Sequence, residues 1–126
     1  MEITGLKIGG EVAQAQARNG SYTEISFRLK NNDGKNHSLI VIFELTTQGI
    51  HHVSIVTAKD QPLPHSDTTF RYNRPIYATD PYLDQRVYAW SHLKGLAEAA
   101  VEIKIYLLVD GKLTGEKQTV TLIISR

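Results

Sequence analysis

The chain contains no cysteine, which removes disulfides, thiolate nucleophiles and cysteine-ligated zinc from consideration. It has almost no net charge: 14 lysines and arginines stand against 13 aspartates and glutamates, leaving +1. A duplex-DNA binder ordinarily carries a basic stripe and a clear positive surplus. Neither is present, so nucleic acid is not an expected partner. Apolar runs reach only about five residues, far short of the roughly 20 that a membrane-spanning helix needs, and no membrane insertion is expected. The start, Met1-Glu2-Ile3-Thr4-Gly5-Leu6-Lys7, has no basic segment followed by an apolar one, so no signal peptide is expected. A cytoplasmic location is expected, although a mature secreted domain would read the same. Gly-x-Ser-x-Gly, Gly-x-Gly-x-x-Gly and Walker-type phosphate cradles are all missing, and no cofactor is expected.

What is present is a period of two. In residues 21–30, Thr23, Ile25, Phe27 and Leu29 alternate with Glu24, Ser26, Arg28 and Lys30, the pattern of a strand wet on one face. Asp33-Gly34, flanked by asparagines, suits a hairpin turn. Residues 38–46 carry Leu39, Val41, Phe43 and Leu45 on one face, with Ile40 and Ile42 on the other, which predicts a mid-sheet strand. Residues 50–57, 87–90, 101–109 and 118–125 read as further strands, with weaker ones at 2–8 and 11–17. Asp110-Gly111 supplies a second hairpin turn.

One segment breaks the period. In residues 91–100, Leu93, Leu96, Ala97 and Ala100 recur at helical spacing behind Ser91 as an N-cap, which predicts a short helical turn. At 126 residues the chain reads as one domain, 1–126. The expected fold is all-β: an antiparallel sandwich of seven or eight strands. Its core would come from Ile25, Phe27, Leu39, Val41, Phe43, Ile103, Ile105, Leu107, Val120 and Leu122. The stretch from Val87 through the strand at 101–109, Asp110-Gly111 and the last strand resembles the closing strands of immunoglobulin-like and fibronectin-type modules.

Six of the ten aromatic residues fall between Phe70 and Trp90, interleaved with Arg71, Arg74 and Arg86, and all four prolines (Pro62, Pro64, Pro75 and Pro81) lie close by. Rings and guanidinium groups dominate binding hot spots, and prolines stiffen irregular segments. Trp90 and Tyr88 share one strand face, and Trp90 is expected to be structural. The expected contact residues are Phe70, Arg71, Tyr72, Arg74, Tyr77, Tyr82 and Arg86, carried on a loop-like excursion over residues 59–86. Four cations there (Lys59, Arg71, Arg74 and Arg86) are balanced by Asp60, Asp67, Asp80 and Asp84. The leading expectation is a non-catalytic binding or assembly module, acting through a protein partner or self-association.

Two other classes compete. Exposed tyrosines and Trp90 could stack on sugar rings, giving a carbohydrate-binding module. A small hydrolase could use His65 with Asp67, or Asp80 with Asp84; those residues sit beside prolines, where Asp and Ser usually cap turns. The five histidines show no metal-ligand spacing, and His51 and His52, adjacent on a strand, point to opposite faces. No metal site is expected.

Overall fold

In the computed structural model, which describes residues 1–58, 61–95 and 97–126, the chain forms two stacked β-sheets. The strands are β1 (Glu2–Ile8), β2 (Gln14–Arg18), β3 (Tyr22–Lys30), β4 (His37–Leu45), β5 (Val53–Ala58), β6 (Gln61–Pro62), β7 (His65–Ser66), β8 (Thr69–Ile76), β9 (Tyr82–Ser91), β10 (Glu98–Val109) and β11 (Lys112–Ser125). A 3₁₀ turn occupies Gly49–His51. The five-stranded sheet runs β1-β3-β9-β5-β6 and the six-stranded sheet β2-β11-β10-β4-β8-β7.

The inward faces follow the alternation. All ten expected core residues are buried. Phe27 of one sheet meets Phe43 of the other, with ring centroids 6.2 Å apart. Apolar area lost from water is the main favourable contribution to such a body. β4 lies between β10 and β8, as its two apolar faces predict, and Ile42 on its outer face is buried as well.

Several expectations change. The Asp33-Gly34 segment is not a hairpin: β3 pairs with β1 and β9, whereas β4 pairs with β10 and β8. Residues 31–36 therefore arch from one sheet to the other. The sandwich is not wholly antiparallel, because β2 runs parallel to β11, with Gln14 opposite Thr121 and Arg18 opposite Ser125. No helical turn occupies the described part of 91–100; Leu96 lies outside the described residues. Ser91 ends β9 and is fully buried, and Gly95 takes φ +71, outside the helical region. Glu98, Ala99 and Ala100 open β10 opposite Ser125, Ile124 and Ile123. A long partner strand outweighs a local helical spacing.

Gly49 needs its missing side chain. A Cβ there would stand 2.9 Å from both Thr46 Oγ1 and Val101 Cγ1, so the chain can cross from β4 toward β5 only where no side chain intrudes.

Candidate functional site

The seven expected contact residues do not share a surface. Phe70 is 3% exposed and belongs to the core, its ring stacked on His65 at 5.1 Å. That is the correction to its expected contact role: a strand aromatic on the inward face of β8 fills the interior. Tyr72 points inward too, its ring 6.1 Å from Phe43, and burial pushes its phenol up from the usual value. Arg74 is exposed on the same strand, opposite Leu39, while Arg71 is exposed opposite Ile42. Tyr77, 55% exposed, sits in the loop after β8. Among the exposed ones, Tyr82 and Arg86 share a face, the outer side of the five-stranded sheet.

Residues 59–86 are thus largely not a loop. Lys59 and Asp60 lie outside the described residues; from Gln61 onward the chain builds β6, β7, β8 and the first half of β9. Of the hydrolase candidates, Asp67 and Asp80 lie in turns, while His65 stands in β7 and Asp84 in β9. Asp67 takes φ +51 between β7 and β8. Asp80 Oδ2 accepts the Tyr77 N–H at 3.2 Å, and Asp84 is paired with Arg28.

The outer face of the five-stranded sheet gathers what those residues do not. Along β9, Tyr82, Asp84, Arg86, Tyr88 and Trp90 alternate with the inward Leu83, Gln85, Val87 and Ala89, so one row spans about 26 Å. Its neighbours are set by register. Trp90 lies between Tyr22 of β3 and Ser54 of β5, and Tyr88 between Glu24 and Val56. Arg86 stands opposite Ser26, Asp84 opposite Arg28 and Tyr82 opposite Lys30.

The row has an aromatic end and a charged end. At the first, Tyr22 and Trp90 stack with centroids 6.4 Å apart and planes 23° apart, and the His92 ring follows Trp90 at 4.7 Å. Tyr22, Ser54, Val56, Pro62 and Trp90 line a hollow of about 260 Å³. Ser54 Oγ lies 3.0 Å from His92 Nε2, and burial lowers the affinity of that imidazole for a proton.

At the charged end, Arg28 Nε donates to Asp84 Oδ1 at 2.8 Å, and the guanidinium lies 3.9 Å from the Tyr82 ring centroid. The hydrogen bond from Arg28 holds the Asp84 carboxyl below the usual carboxylate range. Arg86 pairs with Glu24 at 3.2 Å. Thr4, Lys7, Glu24, Arg28, Asp84 and Arg86 are among the residues lining an open groove of about 700 Å³. Among the described residues, the groove lining holds the carboxylates Glu24 and Asp84 without a histidine, and the hollow lining holds no carboxylate.

Trp90 is 37% exposed, not buried as its strand setting suggested. Tyr22, Arg28 and Glu24 were passed over because they lie on the wet face of β3, far from the aromatic cluster in sequence. The signal that would have found them is the even-position row of β9, which continues unbroken from Tyr82 to Trp90. No protein-family model matches the sequence, and no curated protein sequence is significantly similar to it.

Proposed function

We propose that this protein is a non-catalytic binding module that engages a protein partner, or a second copy of itself, through the outer face of its five-stranded sheet. One observation carries the reading: Tyr82, Arg86, Tyr88 and Trp90 stand in a single outward row on β9, with Tyr22 and Arg28 alongside on β3. Such residues give large contact area at low entropic cost. Strands hold them more rigidly than the loop expected from the sequence would have done. Neighbouring ion pairs of both signs, Arg28–Asp84 and Arg86–Glu24, supply a polar rim that suits a protein surface. The early change of sheet by the N-terminal strands, β1 in one and β2 parallel to the last strand in the other, supports an immunoglobulin-like reading of the sandwich.

A second reading, glycan binding, is favoured by the hollow beside Trp90. Among the described residues its lining carries no charged side chain, and the Ser54–His92 pair offers hydrogen-bonding groups to hydroxyls. Tyr77 and Tyr82 stand apart from it, so no broad planar array of the expected rings supports this alternative.

Trp90 is the sole tryptophan, so its fluorescence reports directly on the face. Sedimentation over a concentration series and affinity purification are expected to reveal association accompanied by a change in Trp90 emission. Tyr82→Ala and Arg86→Ala should each weaken it by about 1–2 kcal/mol or more. A monomer at every concentration with no retained partner counts against the proposal. A change of emission on titration with neutral oligosaccharides would move the assignment to the second reading.

A further inference from the structure

His37 opens β4, its backbone opposite Ile76 of β8. Its ring is the meeting point of two turns distant in sequence. Nδ1 lies 2.6 Å from Asp110 Oδ2, in the turn between β10 and β11, and Nε2 lies 2.8 Å from Asp33 Oδ2, in the 31–36 arch. The His37 side chain is only 14% exposed. A carboxylate accepts hydrogen bonds and cannot donate them, so both contacts are satisfied together only when both ring nitrogens carry protons. Asp33 and Asp110 are the charged groups that act on the ring, and Lys35 acts on Asp33. From β8 the facing residues are Pro75 and Ile76, which do not titrate.

Loss of one proton sets a bare ring nitrogen against a carboxylate, and the two sides are not equally anchored. Asp110 Oδ1 also accepts the Ser38 N–H at 2.9 Å, and the Asp110 N–H donates to Ser38 O at 2.8 Å. Among the described residues, the further bond of Asp33 stays within its own arch, from the Lys35 N–H at 3.0 Å. The remaining proton therefore stays on Nδ1 facing Asp110, and the arch is the side that loosens.

That arch holds one end of the outer face. The Asn31 N–H donates to Pro81 O at 2.9 Å, and Asn31 Nδ2 donates to Lys35 O at 2.9 Å and to Tyr77 O at 3.3 Å. Asn36 Oδ1 accepts the Ala78 N–H at 2.7 Å. Asn31, Asn32, Pro81 and Tyr82, with Thr4, Arg28 and Lys30, line an open groove of about 710 Å³ at the Tyr82 end of the β9 row.

We propose that the Asp33–His37–Asp110 contact is a pH-operated clasp that fixes the Tyr82 end of the binding face when His37 is protonated and releases the 31–36 arch when it is not. Its regulatory meaning rests on the outer-face reading, but the clasp can be tested without any partner. Proton NMR across the histidine range is the experiment. The His37 ring should titrate above the ordinary histidine value, and the amide signals of Asn31, Tyr77 and Tyr82 should move with the same midpoint. Asp33→Asn and Asp110→Asn should each lower that midpoint, and His37→Asn should abolish the amide titration. An ordinary midpoint for His37, or amides that stay still through it, overturns the clasp. Should His37→Asn fail to fold, the Asp33→Asn spectrum decides, and an unchanged midpoint there refutes the proposal. A failed search for a binding partner would leave all of these results standing.

Discussion

The Tyr72 hydroxyl donates to Gln85 Oε1 at 2.9 Å, joining β8 of the six-stranded sheet to β9 of the five-stranded one. Gln85 Nε2 in turn donates to the carbonyl of Asp84 at 2.8 Å. Tyr72→Phe removes the cross-sheet bond while keeping the ring. It should cost about 1 kcal/mol in denaturant unfolding, the net worth of a typical hydrogen bond. Phe70→Ala, which empties a core position on the same strand, should cost about 3–5 kcal/mol. A Tyr72→Phe loss near zero would mean that Tyr72 acts by packing alone.

Trp90→Ala should be mild for a tryptophan. The ring lies on an outer face, and its loss leaves no cavity in the core, so stability should fall by less than the roughly 3–5 kcal/mol of a buried aromatic truncation. Aqueous quenchers should reach the native fluorescence. A variant as unstable as Phe43→Ala would place the indole in the core and remove it from the proposed face.

Gly49→Ala should destabilise the fold by about 1–3 kcal/mol, as overpacking does, because the new methyl meets Val101 and Thr46 at 2.9 Å. Adding Val101→Ala should restore part of the loss measured in urea melts. An absence of coupling between the two changes would show that the clash is relieved elsewhere.

The clasp makes a signed prediction about stability. The hydrogen bonds that the His37 ring donates to Asp110 and Asp33 raise its affinity for a proton in the folded state. Its contribution is therefore fully present below the unfolded value near 6.5 and is lost as pH rises through the folded midpoint. Asp33 and Asp110 are held below the usual carboxylate range by the hydrogen bond from His37. Their contribution is present above that range and is lost as pH falls through their lowered values. The stability advantage of the wild type over His37→Asn should accordingly be larger at about pH 6 than at about pH 8.5. Thermal melts giving the same advantage at both values would count against the clasp.

Arg28→Ala should change stability little. Both members of the Arg28–Asp84 pair are well exposed, and solvent screening leaves such pairs worth little. Its effect should appear instead in binding, through the freed Tyr82 ring. A large fall in melting temperature would show that the pair is structural.

Alternation alone determined the inward faces. In β3, β4, β10 and β11 the small period leaves one apolar side per strand, and water drives that side inward wherever the strand ends up; ten core positions were legible for this reason. The same logic located the Asp110-Gly111 turn, where φ of +51 and +85 demands those residue types. What alternation cannot say is which sheet a strand joins. Asp33-Gly34 carries the same turn chemistry as Asp110-Gly111, yet one segment arches between layers and the other closes a hairpin, because pairing partners are chosen by packing across the whole chain. The faces of β9 posed the same difficulty, being apolar on one side and aromatic on the other. Only the stacked sheets, in which Val87 and Ala89 fill the interior, turned Tyr82, Arg86, Tyr88 and Trp90 outward. The Asp33–His37–Asp110 contact lay further still from sequence reasoning, since it joins residues 73 positions apart that only the arch brings together.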